Sequence, residues 1–244
     1  MHQSVQSLPD GDILIHAGDL TQSGTPEELN DALKWLNSHP HAYKIFIAGN
    51  HDKALADPSI VEKIRETYPS LIYLHDSEAT VSIRTRTMNI YGSPYTPRYG
   101  SGSFQYPRVH PSQATSSSLW SKIPLQTDIL ITHGPPSYYL DIKGSGCPAL
   151  LQALWRIRPQ LHVFGHIHAA RGVEDVFWTP YQKIYEKSCE EGGGFMNLVS
   201  LLVHIIHYFL KGGHRDHRET VLVNASIVGG YRDELRRDAI VVDI

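Results

Sequence analysis

Four short segments of the sequence place glycine beside side chains that bind metal ions. These segments are Gly18-Asp19, Gly49-Asn50-His51-Asp52, His133-Gly134 and Gly165-His166-Ile167-His168. Together they offer carboxylate and amide oxygens and imidazole nitrogens, without thiolate. Such a set suits divalent Mn, Fe, Zn, Ni or Co, and it fits calcium or an iron–sulfur cluster poorly. The pattern predicts a site for divalent metal ions.

Each segment also has an ordinary explanation when it is taken alone. Gly-Asp is frequent in turns, so Asp19 by itself is a weak candidate, and a single histidine such as His133 is more often structural. His166 and His168 alternate, so both bind only if the backbone turns there or if metal ions lie between them. The joint occurrence of the four segments is what favours a metal site.

Each segment directly follows a short apolar run that predicts a buried strand. The four runs are Asp12–Ala17, Lys44–Ala48, Asp128–Thr132 and Leu161–Phe164. Ligand sites of open α/β sheets gather just beyond the carboxyl ends of strands. Glycine lets the backbone turn sharply there, so that the next side chain points out of the sheet. We therefore expect the four loops to share one site.

Helices are predicted between these strands. The clearest begins at Thr25-Pro26-Glu27-Glu28, where Thr25 is the N-cap, Pro26 lies in the first turn and Glu28 closes a capping box. Further helices are expected from Asp57-Pro58 and from near Pro148. Additional short strands are expected at Leu71–Leu74, Ala79–Ile83, Met88–Tyr91, Thr220–Val223 and Ile240–Ile244. This alternation predicts a layered α/β domain with mixed sheets.

The composition is typical of a single globular domain spanning residues 1–244. The chain is 41% hydrophobic and 19% charged, and its formal net charge of −3 argues against a nucleic acid polymer or an anionic membrane as the main partner. Cys147 and Cys189 are too few for a disulfide framework, and the sequence opens without a signal-peptide pattern. We expect a reducing, cytoplasmic location.

Two segments interrupt the alternation of strands and helices. The first, Gly92–Ser118, is rich in Pro, Gly, Ser and Tyr, and it is interpreted either as a functional lid or as disorder. Its aromatic and basic side chains either stack on a base and pair with phosphate, or are surface residues of a loop. They are Tyr95, Arg98, Tyr99, Tyr106 and Arg108.

The second segment is an apolar helix predicted for Phe195–Leu210, within a helical insertion at residues 192–213. Its sixteen residues carry no formal charge and would extend about 24 Å, short of the ~30 Å hydrocarbon core of a bilayer. Its polar residues recur at intervals of three and four and form one stripe. The helix is expected to pack against its own domain or a partner chain, or to lie at a membrane surface beside the basic residues that follow it.

The four segments resemble the motifs of the calcineurin-like metallophosphoesterase family. The sequences Asp10–Thr21 and Leu222–Ser226 are similar to its metallophosphoesterase-domain-containing subgroup. The resemblance implies a four-layer α/β/β/α sandwich of mixed sheets, the metallo-dependent phosphatase-like fold. It also implies a centre for two divalent metal ions at the sheet ends.

Roles for individual residues follow from the resemblance. The shell of the second metal ion would comprise Asp19, Asn50, His133 and His166. Asp19 would bridge the two ions, and His168 would bind the first. His51 would lie beside the substrate phosphate as general acid or charge stabiliser, and Asp52 would orient it.

The chain departs from the family pattern at its start. The family opens with an Asp-x-His motif on a first strand, and residues 1–9 contain no such motif. The resemblance therefore implies that the first strand is missing and that the first metal site is incomplete. A truncated or misassigned start and a natural variant with one damaged site both account for this departure.

The implied function is metal-dependent hydrolysis of a small-molecule phosphoester. Phosphodiesters, including cyclic nucleotides, are the leading substrate class, and phosphomonoesters follow. The absent motif is expected to impair turnover. The alternative is a catalytically weak regulatory protein that binds metal and nucleotide.

Overall fold

The computed structural model describes residues 8–108, 118–210, 219–230 and 234–244. Its helices are α1 (Pro26–Asn37), α2 (Pro58–Thr67), α3 (Ser118–Ser121), α4 (Pro148–Ile157), α5 (Pro180–Glu190) and α6 (Phe195–Leu210). Its strands are β1 (Ile13–His16), β2 (Tyr43–Phe46), β3 (Leu71–Tyr73), β4 (Ser77–Ile83), β5 (Arg86–Ser93), β6 (Thr96–Pro97), β7 (Gln105–Tyr106), β8 (Ile129–Thr132), β9 (Leu161–Phe164), β10 (Gly172–Phe177), β11 (Glu219–Asn224), β12 (Val228–Gly229) and β13 (Leu235–Arg236).

Two sheets form the centre of the fold. The first has the order β1-β2-β3, and its strands are all parallel. The second has six strands in the order β10-β11-β9-β8-β5-β4. Its outer pairs, β4 with β5 and β10 with β11, are antiparallel, and its inner pairs are parallel. The second sheet is therefore mixed, as the sequence predicts.

Three clusters of apolar side chains lie between the four layers of helices and sheets. Alternate residues of a strand face opposite sides of a sheet, so one strand contributes to two clusters. In β2, Phe46 packs with α1 and α2, whereas Ile45 packs between the two sheets. In β8, Ile131 packs between the sheets, whereas Leu130 packs with α4. The order helix, sheet, sheet, helix confirms the predicted four-layer α/β/β/α sandwich.

Hydrogen bonds at the start of α1 stabilise both the helix and the loop that precedes it. Thr25 is the N-cap, as predicted, and its hydroxyl accepts a hydrogen bond from the backbone N–H of Glu28 at 3.2 Å. The Glu28 carboxylate accepts from the backbone N–H groups of Gln22, Ser23 and Gly24, and not from that of Thr25 as the predicted capping box requires. This contact fastens the loop after β1 to the helix.

The predicted elements and the structure differ in the last third of the chain. The strand predicted for residues 240–244 is wrong, because the backbone there is irregular. Ile240 and Val242 instead pack against the cluster between the sheets, so their apolar character reflects burial rather than strand pairing. β10 and α5 have no counterpart among the predicted elements. α5 nevertheless repeats the start of α1, with Thr179 as N-cap and Pro180 in the first turn.

The structure describes part of each of the two unusual segments. Residues 92–108 complete β5 and form β6 and β7, which pair with each other, and residues 109–117 of the same segment lie outside the described residues. The predicted apolar helix is confirmed as α6. In the described part of the chain, no helix combines the length and the apolar character needed to cross a bilayer.

Candidate metal centre

The carboxyl ends of β1, β2, β8 and β9 meet at one end of the sandwich. β1 and β2 are neighbours in the first sheet, and β8 and β9 are neighbours in the second. The loops after these strands carry Asp19, Asn50, His133 and His166, respectively. One ligand atom from each of Asp19, His133 and His166 lies within 4.8 Å of the others. The fold thus brings candidate ligands from both sheets to one point.

Nε2 of His133 is the centre of this group. It lies 2.9 Å from Oδ1 of Asn50, 3.4 Å from Oδ2 of Asp19 and 3.2 Å from Nδ1 of His166. The other ring nitrogen, Nδ1, lies 3.0 Å from the carbonyl oxygen of Ala17. Because a carbonyl oxygen only accepts, Nδ1 carries the hydrogen in the neutral ring. Nε2 therefore presents its lone pair to the other three atoms.

This arrangement fits a divalent cation. With His133 neutral, a nitrogen lone pair, an amide oxygen and a carboxylate oxygen face one another, and a cation between them would satisfy all three. His166 adds a second nitrogen to the same group. Two imidazoles with oxygen ligands form the donor set that Mn, Fe, Zn, Ni and Co accept. The contact from His133 to Ala17 resembles the outer hydrogen bond that orients metal-binding histidines.

The pKa values of Asp19, His133 and His166 reflect how close these buried side chains lie to one another. Burial alone lowers the pKa of His133, but the Asp19 carboxylate, the Ala17 carbonyl and the Asp52 carboxylate together raise it above its ordinary value. Burial alone raises the pKa of Asp19, but His133 and the backbone N–H of His51 lower it overall. Burial and the neighbouring His133 lower the pKa of His166 to about 3. His166 is therefore neutral near pH 7, as a metal ligand must be.

The backbone is held in unusual conformations at this point. Gly18 has a φ of +92°, and a Cβ atom there would lie 2.6 Å from Nδ1 of His133. Asp19 and His166 also lie in the left-handed region, with φ values of +56° and +65°. For residues other than glycine, that region costs on the order of 1–2 kcal/mol. Such strain at two candidate ligands is typical of a functional site.

Comparison with known proteins agrees with this geometry. Residues 2–170 match the sequence profile of the calcineurin-like phosphoesterases. The chain belongs to the calcineurin-like phosphoesterase family. This membership supports the metal-binding character of the centre described above.

Relatives of this chain include longer proteins. It is 41% identical over 193 residues to Homo sapiens metallophosphoesterase domain-containing protein 1, with 68% of this chain and 57% of that protein covered. It is 47% identical over 250 aligned positions to the Emericella nidulans protein named probable rhamnogalacturonate lyase C, covering 100% of this chain and 23% of that protein. The chain thus spans less than two thirds of either relative. Among solved structures, TT1561 of Thermus thermophilus is similar with a TM-score of 0.48 and 12% identity, over 68% of this chain and 72% of that one.

The Asp52 side chain makes different contacts from those expected. The fully buried carboxylate accepts hydrogen bonds from the backbone N–H groups of Leu20, Thr21 and Gly49 and from the Thr21 hydroxyl. It does not orient the His51 ring, whose Nδ1 lies 2.9 Å from the carbonyl oxygen of Gln22. Asp52 therefore joins the loop after β1 to the loop after β2. Burial, followed by the nearby Asp19 carboxylate, raises the pKa of Asp52 to about 6.

The remaining predicted residues lie around the centre. The backbone N–H of His51 donates to Oδ1 of Asp19 at 2.9 Å, which places His51 directly beside a candidate ligand. His168 is outside the group formed by Asp19, His133 and His166. It shares with all three a cavity of about 500 Å³ that also extends along β1.

Two residues at the site were not assigned a role from the sequence. The buried Asn224 side chain donates to the carbonyl oxygens of Ile167 and Leu140, at 3.0 and 3.2 Å, and so holds the loop that carries His166. Its signal was a polar residue directly after the apolar run Thr220–Val223, as at the four candidate metal-binding segments. Thr21 is buried against Asp52, and no local pattern distinguishes it from an ordinary loop threonine.

Proposed function

We propose that this protein hydrolyses phosphoesters with a divalent metal ion held by Asp19, Asn50, His133 and His166. The observation that carries the proposal is the convergence of these side chains on Nε2 of His133. Membership of the calcineurin-like phosphoesterase family supports the reaction class. A divalent ion bound there supplies Lewis-acid stabilisation of the negative charge on phosphoryl oxygens.

We assign proton transfer to His51. Its backbone N–H donates to Asp19 and its Nδ1 lies against the carbonyl of Gln22, so the ring is fixed beside the centre. With the hydrogen on Nδ1 directed at that carbonyl, Nε2 is the atom that holds or releases a proton. Protonation of the leaving oxygen by His51 is general acid catalysis, which contributes about 10²–10⁴-fold in enzymes.

A second metal ion is also part of the proposal. Asp19 and His168 line the same cavity and would share this ion. In the described part of the chain, only Asp19, His133 and His166 form a group of three or more carboxylate, imidazole or thiolate side chains close enough to share an ion. His168 does not belong to this group. A site with fewer protein ligands binds its ion more weakly, so we expect slow turnover.

We propose a small phosphodiester, with cyclic nucleotides included, as the substrate. The Tyr99 ring is 71% exposed, and its centroid lies 6.2 Å from that of His166 in an edge-on arrangement. An exposed aromatic ring beside a metal ligand offers a surface for a planar group such as a base. Tyr106, by contrast, is directed inward to Sγ of Cys147. Both cysteines are free thiols, in keeping with the cytoplasmic location that we propose.

The test is hydrolysis of bis-p-nitrophenyl phosphate with Mn²⁺, measured as release of p-nitrophenol. We expect slow turnover that depends on Mn²⁺, stops with EDTA and exceeds the rate with the monoester p-nitrophenyl phosphate. His51→Ala should lower the rate with bound metal unchanged. Stoichiometric Mn²⁺ without product would contradict the hydrolase proposal.

The described residues contain one such group of candidate ligands, and this favours one alternative function. The alternative is a regulatory protein that binds metal and nucleotide with little turnover. This alternative predicts about one tightly bound ion and saturable binding of a fluorescent cyclic nucleotide that is recovered intact. Calorimetric titration followed by chromatography of the nucleotide separates the two functions.

A further inference from the structure

One side of α6 is apolar in the part of the helix whose side chains the structure describes. Eight of its side chains are between 37% and 81% exposed, and all eight are hydrophobic. They are Phe195, Met196, Leu198, Val199, Leu202, Val203, Ile206 and Leu210. Contiguous apolar surface of this kind marks an interaction site in proteins. We refer to these eight residues as the outer face of α6.

The chain's own fold covers the opposite side of this helix. α5 and α6 form a helical hairpin joined by Gly192-Gly193-Gly194, and the two helices pack against each other. The half-buried residues of α6 are Asn197, Ser200, Leu201 and Ile205. Asn197 donates to the Glu191 carboxylate and His204 lies 2.8 Å from the carbonyl of Ser200, so part of the polar stripe is used within the hairpin. The outer face therefore needs a different partner.

We infer that the outer face of α6 pairs with the same face of a second copy of this chain. Phe195, Val199, Leu202 and Ile206 recur at intervals of four, three and four along it. That is the heptad spacing of two helices that pack side by side. Two helical hairpins joined in this way would form a four-helix bundle, the arrangement that covers such faces in helical proteins.

The charges that flank α6 suit an antiparallel pair. The helix itself has no formal charge, and Glu190 and Glu191 precede it. Residues 211–218, which follow it and lie outside the described part of the chain, include Lys211, Arg215 and Arg218 against one acid. In an antiparallel pair the two helix dipoles oppose each other, and the acidic start of one helix lies at the end of the other, after which the sequence continues with these basic residues.

The area available is sufficient for a stable dimer. Each exposed side chain of the outer face offers on the order of 100 Å², so the face offers up to about 800 Å² per protomer. A standard protein interface buries about 800 Å² on each side. None of the described α6 side chains lines the cavity that the candidate ligands share, and the inference does not depend on the proposed function.

The test of this inference introduces a charged side chain at the midpoint of α6. Leu202 lies at the midpoint of α6, so in a pair it lies near its own counterpart. The full chain should sediment as a dimer at micromolar concentration. Leu202→Glu and Leu202→Lys should each weaken association at least about 100-fold, because like charges meet. An equimolar mixture of the two variants should restore the dimer, a result that a membrane or an unrelated partner would not produce.

Leu125→Glu is the matched control, since Leu125 is 60% exposed outside the α5–α6 hairpin. This variant should remain dimeric, and circular dichroism should show all three variants folded. A monomeric parent chain, or a dimer that survives both Leu202 variants, would overturn the inference. A monomer that co-sediments with phosphatidylserine vesicles would also overturn it and would assign the face to a membrane surface.

Discussion

Nε2 of His133 and Oδ1 of Asn50 lie 2.9 Å apart, although 83 positions separate the two residues in sequence. His133 follows β8 of the six-stranded sheet, and Asn50 follows β2 of the three-stranded sheet. The contact therefore depends on how the two sheets are stacked. A metal ion at this point would connect both sheets, so its binding should stabilise the fold as well as the site.

Replacement of His133 should remove the metal site. His133→Ala deletes the atom around which the other candidate ligands gather, so the affinity for Mn²⁺ should fall at least about 100-fold. Isothermal titration with Mn²⁺ measures this loss. His204→Ala is the control, since it removes an exposed imidazole of α6 that is not among the candidate ligands. Equal Mn²⁺ affinity in the His133 variant and the parent chain would contradict the assignment.

Gly18→Ala should disturb the same site through sterics. The new Cβ would meet Nδ1 of His133 and the carbonyl of Ala48, in a backbone with a φ of +92°. We expect a loss of about 2–4 kcal/mol in the free energy of unfolding, together with weaker Mn²⁺ binding.

Gly100→Ala is the matched control for Gly18. Gly100 has a φ of +72°, but its Cβ position has no atom within 4 Å. This variant isolates the backbone cost, on the order of 1 kcal/mol. Urea unfolding of both variants measures the difference, and equal losses would show that the contact with His133 is unimportant.

Asp52→Asn should destabilise the protein markedly. The carboxylate accepts hydrogen bonds from three backbone N–H groups and one hydroxyl. In Asp52→Asn an NH₂ group replaces one of the two accepting oxygens, so hydrogen-bond donors would face another donor. Unsatisfied buried donors cost about 1–3 kcal/mol each, so a loss of roughly 2–4 kcal/mol is expected. Asp57→Asn, at the exposed N-cap of α2, should cost well under ~1 kcal/mol, since asparagine caps helices equally well. Similar unfolding midpoints for the two variants in urea would refute the role given to Asp52.

The stability of the fold should depend on the protonation of His162. This fully buried ring has one hydrogen-bond partner, the Thr132 hydroxyl at 2.8 Å from Nε2, and burial lowers its pKa to about 3. The unfolded histidine titrates near 6.5, so between pH 3 and 6.5 the unfolded chain binds a proton that the folded protein excludes. Stability contributed by neutral His162 is therefore complete above about pH 6.5 and decreases as pH falls, by at most ~1.4 kcal/mol per pH unit.

Urea unfolding at a series of pH values measures this dependence. His162→Gln should flatten the slope between pH 6.5 and 4 by up to one proton, whereas His207→Gln, on exposed α6, should leave it unchanged. Identical slopes in the His162 variant and the parent chain would show that the ring is protonated in the folded state.

Much of the fold was predictable because its signals are local. The starts of α1, α2 and α4 depend on a capping residue followed by proline, as at Thr25-Pro26 and Asp57-Pro58. The buried strands are short apolar runs, and β9 lies at its predicted bounds, Leu161–Phe164. The strand predicted for residues 240–244 is wrong because apolar residues can be buried without pairing as a strand, as Ile240 and Val242 are.

The sequence by itself determined the elements, the loops that carry metal-binding side chains and the apolar character of α6, since each depends on residues a few positions apart. Only the tertiary structure decided which side chains meet. It joined His133 to Asn50 across two sheets, directed Asp52 to Thr21 rather than to His51, and turned the apolar side of α6 outward. These contacts depend on the stacking of distant elements, and no spacing along the chain encodes that stacking.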